Sequence, residues 1–597
     1  MIFLYIFIFL TYFFSQSKFI FGGDSPEFLT TALTYSIPHP PGYPLYTILE
    51  IIFIKFFFFF SPLKAVNLIS IFSHLVTLYF IFKILKGLRI KTLFVVLTLF
   101  FYSFLLIVWL YNVVPEVYAL NNALISGLIF FGLKFHQTKK IFYRRLFFIF
   151  FGLGLSHHHS IIIFLIPFLI LEKNFFSFDI LFSLIFIPFY LYPVVSSYFN
   201  PPIDWENSQS ISGLLRLFTR YSYGTFSAYF GSIPNLVNQL TTLLSSLILI
   251  IGEFKPLGVF LILFGILNLT KKNRFLFNYL LITFFLYLIF LYLTNFNLSY
   301  SFSLATFERY LIALYLILLI FFAFGIDYFY QLISNLKEKL INFKTSQLII
   351  PFYYLILILF LLINFFNNFK VIYSLKTANH FEKFAKTILE IPKKNSILLL
   401  KSDLTYFPVS YFYYYMKLRS DIKLVFPPML SRAYYRKKVK KQFPDLKINN
   451  NYSLIDFIKS NQSQSIYTEV PYGDNFFPVG ILWFYQTKKT KESQDLIVKL
   501  NFDFWLKHKN LPIINKNLKK IMFFQSLSEF YQERLMNFIA YLVEIKNYQK
   551  LNEFLNQFDK IYDYKDHQYF FNLAKKYFKQ EKICQKLSPI NQRIFCL

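Results

Sequence analysis

The chain of 597 residues is 56% hydrophobic and 22% aromatic but only 15% charged, a composition that excludes intrinsic disorder and a purely soluble protein. Its 61 Lys and Arg against 31 Asp and Glu give a formal net charge of +30. Many of these cations sit in short loops between apolar runs, where a polytopic membrane protein carries its orientation signals, so the partner they point to is anionic membrane lipid and no nucleic acid is expected. The 84 Phe say little about sugar stacking, because Phe, Ile, Lys, Asn and Tyr are favoured together by AT-rich coding. Two cysteines, Cys584 and Cys596, lie outside every apolar run and are expected to form neither a disulfide framework nor a metal-ligand cluster.

A helix needs about 20 apolar residues to cross the hydrocarbon core. The basic loops 83–91, 134–145, 271–274 and 337–344 should face the cytoplasm. The run 2–14 lacks a cationic leader and a small-residue cleavage site, so it reads as a first span and not as a signal peptide. It places 22–44 outside. The next stretch, 45–60, contains Glu50 and Lys55, and a crossing there would leave 83–91 on the wrong face; it is expected to lie in the membrane without traversing it. Crossings are expected at 63–85, 91–110, 116–135, 142–155, 160–171, 175–194, 258–269, 275–293, 306–326 and 348–366. The stretch 236–251 meets the same parity conflict and reads as interfacial or as an extension of the following helix. The expectation is a polytopic α-helical membrane protein with about eleven transmembrane helices and a C-terminal soluble domain on the non-cytoplasmic face. The expected divisions are 1–369 for the membrane domain, 370–515 for a soluble α/β domain and 516–597 for a helical segment with repeat-like spacing. Short strand-like runs at 396–400, 422–426, 465–470 and 479–484 carry the α/β reading.

The candidate chemistry gathers on one face. In Gly22-Gly-Asp-Ser-Pro-Glu-Phe28, Ser25 followed by Pro26 predicts a helix start with Ser as N-cap. Asp24 and Glu27, three residues apart, then stand beside a positive helix end, able to accept a proton or simply to favour the terminus. Ile37-Pro-His-Pro-Pro-Gly-Tyr-Pro44 fixes a turned backbone that presents His39 and Tyr43. Glu116 and Tyr118 lie at the outer mouth of a span, where a carboxylate must be paired or wet. His157, His158 and His159 interrupt two short helices, and three adjacent side chains cannot all converge on one ion. Asp204, Trp205, Arg216 and Arg220 fall in the following outer loop. Arg309 is neutralised by its neighbour Glu308 or clamps a phosphate.

The ordered motifs Gly-Asp-Ser-Pro-Glu-Phe, His39-Pro-Pro-Gly-Tyr-Pro44, Glu116-Val-Tyr-Ala-Leu120, the His turn, Asp204-Trp205 and Glu308-Arg309 resemble the membrane family of formerly unknown function that includes a transmembrane protein O-mannosyltransferase. That family looks like part of the GT-C glycosyltransferase superfamily. The resemblance covers most of 1–325; the soluble part matches more loosely, through Ser402-Asp403 and Phe477-Pro-Val-Gly480. It implies a GT-C-like fold and inverting transfer of a hexose, mannose first, from a polyprenyl-phosphate carrier to a hydroxyl of an acceptor protein or glycan. Asp24 maps onto the catalytic position, with Glu27 orienting it or sharing the proton. Arg309 is the best match for the donor phosphate, and His39 and the His turn assist; Asn would be expected where His157 stands. No metal is demanded, although Asp24 with Glu116 could hold a divalent ion. The localisation implied is the bacterial cytoplasmic membrane, with the site outside. The rival readings are a transporter or lipid flippase using the same residues as an ion relay, and a silent scaffold. The confinement of charges to one interface and the lack of an internal repeat count against the former.

Overall fold

A computed structural model describes the chain except for residues 173–177, 229–232, 340–346, 450–452, 488–489, 509–513, 562–567 and 597. Most of the expected basic loop 337–344 and the start of the expected span 175–194 therefore lie outside the described residues. The chain divides into two units, one formed by Met1–Phe19 and Phe28–Ala378, the other by Ile20–Glu27 and Asn379–Leu597.

The first unit is a polytopic helical membrane protein. Seven helices among the described residues are long and apolar enough to cross a bilayer, or eight if the bent pair Thr92–Ser103 and Leu106–Asn112, which meet at 70°, is one span. The sequence expectation of about eleven spans is larger because several marked runs fold as shorter helices. These are Ile2–Ser15, Ile141–Leu155 and Ile161–Leu171, of 14, 15 and 11 residues. The stretch 236–251 does extend the following helix: Leu236–Lys272 is continuous except at Lys255, whose φ of 59° precedes Pro256. There the missing N–H and the proline ring break the helical ladder. The span Leu311–Asn335 is the inner one, with 94% of its apolar window buried against 22% for Phe178–Tyr198, whose outer side chains suit contact with lipid. Between the spans run the short helices Ser25–Leu33, which starts in the other unit, and Pro44–Phe56.

The second unit contains a five-stranded sheet of order β2-β1-β3-β5-β4, made by β1 (Ile397–Leu399), β2 (Lys423–Val425), β3 (Ile466–Thr468), β4 (Phe476–Val479) and β5 (Leu482–Tyr485). β1 pairs in parallel with β2 and β3, which sets Leu398 opposite both Leu424 and Tyr467. β5 runs antiparallel to β3 and β4. The expected single strand 479–484 is a correction: it straddles a hairpin in which Val479 faces Leu482 across Gly480 and Ile481. The side chain of Asn501 holds that turn, accepting from Gly480 N at 2.9 Å and donating to Pro478 O at 2.7 Å. The helices Met522–Glu544, Tyr548–Ile561 and Gln568–Gln580 follow. Cys584 and Cys596, expected to form neither a disulfide framework nor a metal-ligand cluster, form a single disulfide; their separation of 12 residues spans a turn and one short helix, which folds the chain back on itself.

Candidate active site

The acidic loop belongs to the C-terminal unit. Phe21 is 1% exposed and meets the rings of Phe381, Phe523 and Phe524 at centroid distances of 6.0, 5.6 and 6.0 Å. Ile20 N donates to the Glu382 carboxylate at 3.5 Å. Gly23 has φ +70°, a left-handed conformation that L side chains adopt with strain, and a Cβ there would lie 2.5 Å from Phe523 Cζ. Two glycines therefore stand before Asp24 because the backbone runs against aromatic rings. The helix Ser25–Leu33 starts on Ser25 itself. The Ser25 hydroxyl is buried and makes no hydrogen bond among the described residues, so it does not act as the expected N-cap. Glu27 is fully buried, whereas Asp24 is half-buried. Of the two carboxylates, Asp24 is the one with solvent exposure.

The remaining candidates lie in the membrane unit. Phe28, the residue after Glu27, packs at 5.7 Å from His39, 5.3 Å from Tyr43 and 5.5 Å from Tyr46. His39 Nε2 and the Tyr43 hydroxyl are 3.4 Å apart, and Trp205 lies edge-on to His39 at 6.3 Å. The loop that carries Trp205 is pinned to this turn, since Ile37 N donates to Ile203 O and Ser197 Oγ donates to Asp204 at 2.6 Å.

Glu116 and Arg309 form an ion pair of 2.7 Å, with side chains 0% and 1% exposed. Of the two readings of Arg309, neutralisation by Glu308 is therefore not the pairing observed. Consecutive residues on a helix diverge in direction, and Glu308 instead accepts from the Tyr111 hydroxyl at 2.9 Å. Arg309 also covers the Tyr118 ring at 5.7 Å. The Glu116 oxygen nearest Arg309 is thus engaged, and among the described residues no group of three or more His, Cys, Asp or Glu is arranged to hold a metal ion.

The three histidines diverge, as their adjacency requires. His157 Nε2–H donates to Val117 O at 2.7 Å, His158 Nδ1 shares a hydrogen bond with Ser160 at 2.8 Å, and His159 packs 4.7 Å from Phe218. Burial lowers all three from the ordinary imidazole value, His157 and His159 to about 4. At His158 the neighbours His157, Arg220, His159 and His39 push in the same direction. At His158 and His159 this histidine shell thus lies near the guanidinium of Arg220. Its Nη atoms donate to Thr225 O and Ser227 O at 3.3 and 3.4 Å, and its φ of 54° ends the helix Ile211–Thr219.

Glu50 escaped the sequence reading as a site residue. It is fully buried, and neither carboxyl oxygen has a hydrogen-bond partner among the described residues. The available signal was its spacing of four from Tyr46, which sets both on one helical face.

Residues 24–177 match the family model described as the protein O-mannosyl-transferase TMEM260 N-terminal domain. The motif resemblance is borne out over this segment. The chain is 23% identical over 520 residues to protein O-mannosyl-transferase tmem260 of Dictyostelium discoideum, covering 76% of this chain and 62% of that one. It is 26% identical over 450 residues to protein O-mannosyl-transferase TMEM260 of Mus musculus, covering 71% and 62%. The matches thus span less than two thirds of these relatives' length. Among solved structures, it is similar to ArnT from Cupriavidus metallidurans bound to undecaprenyl phosphate, with TM-score 0.48 and 11% identity over 78% of this chain and 93% of that one. The apo state of the same protein gives TM-score 0.47 and 11% identity over 78% and 92%.

Proposed function

We propose that this multi-pass membrane protein is an inverting glycosyltransferase that moves a hexose, mannose first, from a polyprenyl-phosphate carrier to a hydroxyl acceptor, a protein Ser or Thr. The observation that carries the reading is the half-buried Asp24, set on a loop gripped by aromatic rings, in the segment matched to the O-mannosyl-transferase family. In this reading Asp24 takes the acceptor proton as the hydroxyl oxygen attacks the anomeric carbon, and Glu27, fully enclosed, positions the helix start. Arg220 with His39, His158 and His159 receives the phosphate leaving group. Neutral imidazoles beside an arriving anion gain basicity, so they are suited to share the phosphate's charge by taking up protons. Arg309, paired with Glu116, orders Tyr118 beside that shell, which is a better use of a 1% exposed guanidinium than direct contact with a headgroup. In this reading the C-terminal unit lies on the non-cytoplasmic face, the side that the basic loops favour, and its disulfide suits an oxidising compartment.

Asp24→Asn keeps the size and most hydrogen bonding but removes the proton acceptor. Single-turnover transfer from polyprenyl-phosphate mannose should fall by about 100-fold or more while donor binding survives. Near-wild-type transfer by this variant would remove Asp24 as the base.

A further inference from the structure

A cavity of about 530 Å³ opens in the C-terminal unit between the hairpin β4–β5 and the three helices that follow the sheet. This is the size of a small-molecule site, about 300–1,000 Å³. Its walls carry five aromatic side chains, Phe476, Trp483, Tyr541, Tyr548 and Tyr577. Two of these residues also carry a buried polar group that has no hydrogen-bond partner among the described residues: the indole Nε1–H of Trp483 and the hydroxyl of Tyr541. Buried Trp and Tyr polar atoms ordinarily find a partner, and leaving one unmade is costly. The opposite chemistry is also present, since Glu544 and Glu581 line the same cavity with Asn537 and Lys546. Burial and the Glu581 and Glu544 carboxylates hold the Tyr577 phenol above its ordinary value.

A ligand that satisfies this wall must offer acceptor oxygens to Trp483 and Tyr541, donors to the two glutamates, and flat C–H faces to the rings. A hydroxyl both donates and accepts. A lysine side chain only donates, and would leave Trp483 and Tyr541 unmet. We infer that this cavity binds a short neutral saccharide, held by aromatic faces and by hydrogen bonds to Trp483, Tyr541, Glu544 and Glu581. Its lining shares no residue with the acidic loop or the histidine shell, and the inference stands whether or not the transferase reading does.

The test uses the full-length protein in detergent, titrated with mannotriose and, in parallel, with trilysine, by calorimetry or ligand-observed NMR. Mannotriose should bind saturably. Trp483→Phe, which keeps the ring face and removes the N–H, and Glu581→Gln, at an exposed position, should each weaken binding by about fivefold or more, with unfolding midpoints unchanged. The donor-sugar site would not respond to either substitution, which separates the two sites. Absence of saturable mannotriose binding, equal affinity in both variants and the parent, or saturable trilysine binding weakened by Glu581→Gln would each overturn the inference.

Discussion

Gly23→Ala tests whether the aromatic grip on the acidic loop matters for transfer. The substitution meets two obstacles of different kinds. At φ +70° an L residue is strained by about 1–2 kcal/mol. The added methyl would also lie 2.5 Å from Phe523 Cζ and 3.0 Å from Cε2, and overpacking of this kind costs about 1–3 kcal/mol. The sum, about 2–5 kcal/mol, is concentrated on the backbone beside Asp24, so the loop should shift before the whole unit unfolds. A displacement of about 1 Å at a reacting group costs on the order of 100-fold in rate. Single-turnover transfer should therefore fall about 100-fold, with donor affinity nearly unchanged and the unfolding midpoint in detergent lowered. Adding Phe523→Leu removes the colliding ring edge and should restore part of the rate, while the backbone strain stays; the two substitutions are then non-additive, as contacting residues are. Wild-type transfer by Gly23→Ala alone, or strict additivity with Phe523→Leu, would refute the reasoning.

Arg309→Ala leaves Glu116 buried without its cation, so unfolding in denaturant should show a loss of about 3–5 kcal/mol, and Glu116→Leu in the same chain should recover much of it. His157 contributes a pH dependence with a definite sign: its folded value of about 4 lies below the ordinary 6.5, so the unfolded chain binds the proton first. Stability is full above pH 6.5 and declines as pH falls through about 4, by about 3 kcal/mol in all. His157→Asn should flatten that limb in acid unfolding followed by circular dichroism. In intact cells, a thiol reagent should label Cys584 and Cys596 only after reduction, and a tag after 597 should be reached from the non-cytoplasmic side whereas one within 134–145 should not. Cytoplasmic exposure of the C-terminal tag would reverse the proposed topology.

The membrane region was legible because bilayer thickness imposes one length on every crossing, and the helices Pro62–Gly87 and Arg274–Leu293 sit within a residue or two of the runs that hydropathy marked at 63–85 and 275–293. Hydropathy carries no information on whether a run of 11–15 apolar residues makes a span, which is where the expected count exceeded the long helices. The candidate residues were found by type and position, but their pairings were not. Glu116 and Arg309 are 193 residues apart, and no local pattern links them more strongly than Glu308 and Arg309. Gly22 and Gly23 were visible as letters, yet the reason for them is a pair of rings at Phe381 and Phe523. Glu50 was used only as an argument against a crossing, although its burial makes it part of the polar interior. The strand at 479–484 failed because Gly480 sits where a short apolar run turns back on itself.

The threading of Ile20–Glu27 into the C-terminal unit has a consequence for how the protein is made. This segment leaves the ribosome about five hundred residues ahead of Phe523 and Phe524. At about 5–20 residues per second the wait is roughly 25–100 s, during which the neighbouring spans have time to insert while the loop stands open to water and proteases. A nascent chain stalled before Phe523 should therefore be cut near Gly22, and one released beyond it should be protected.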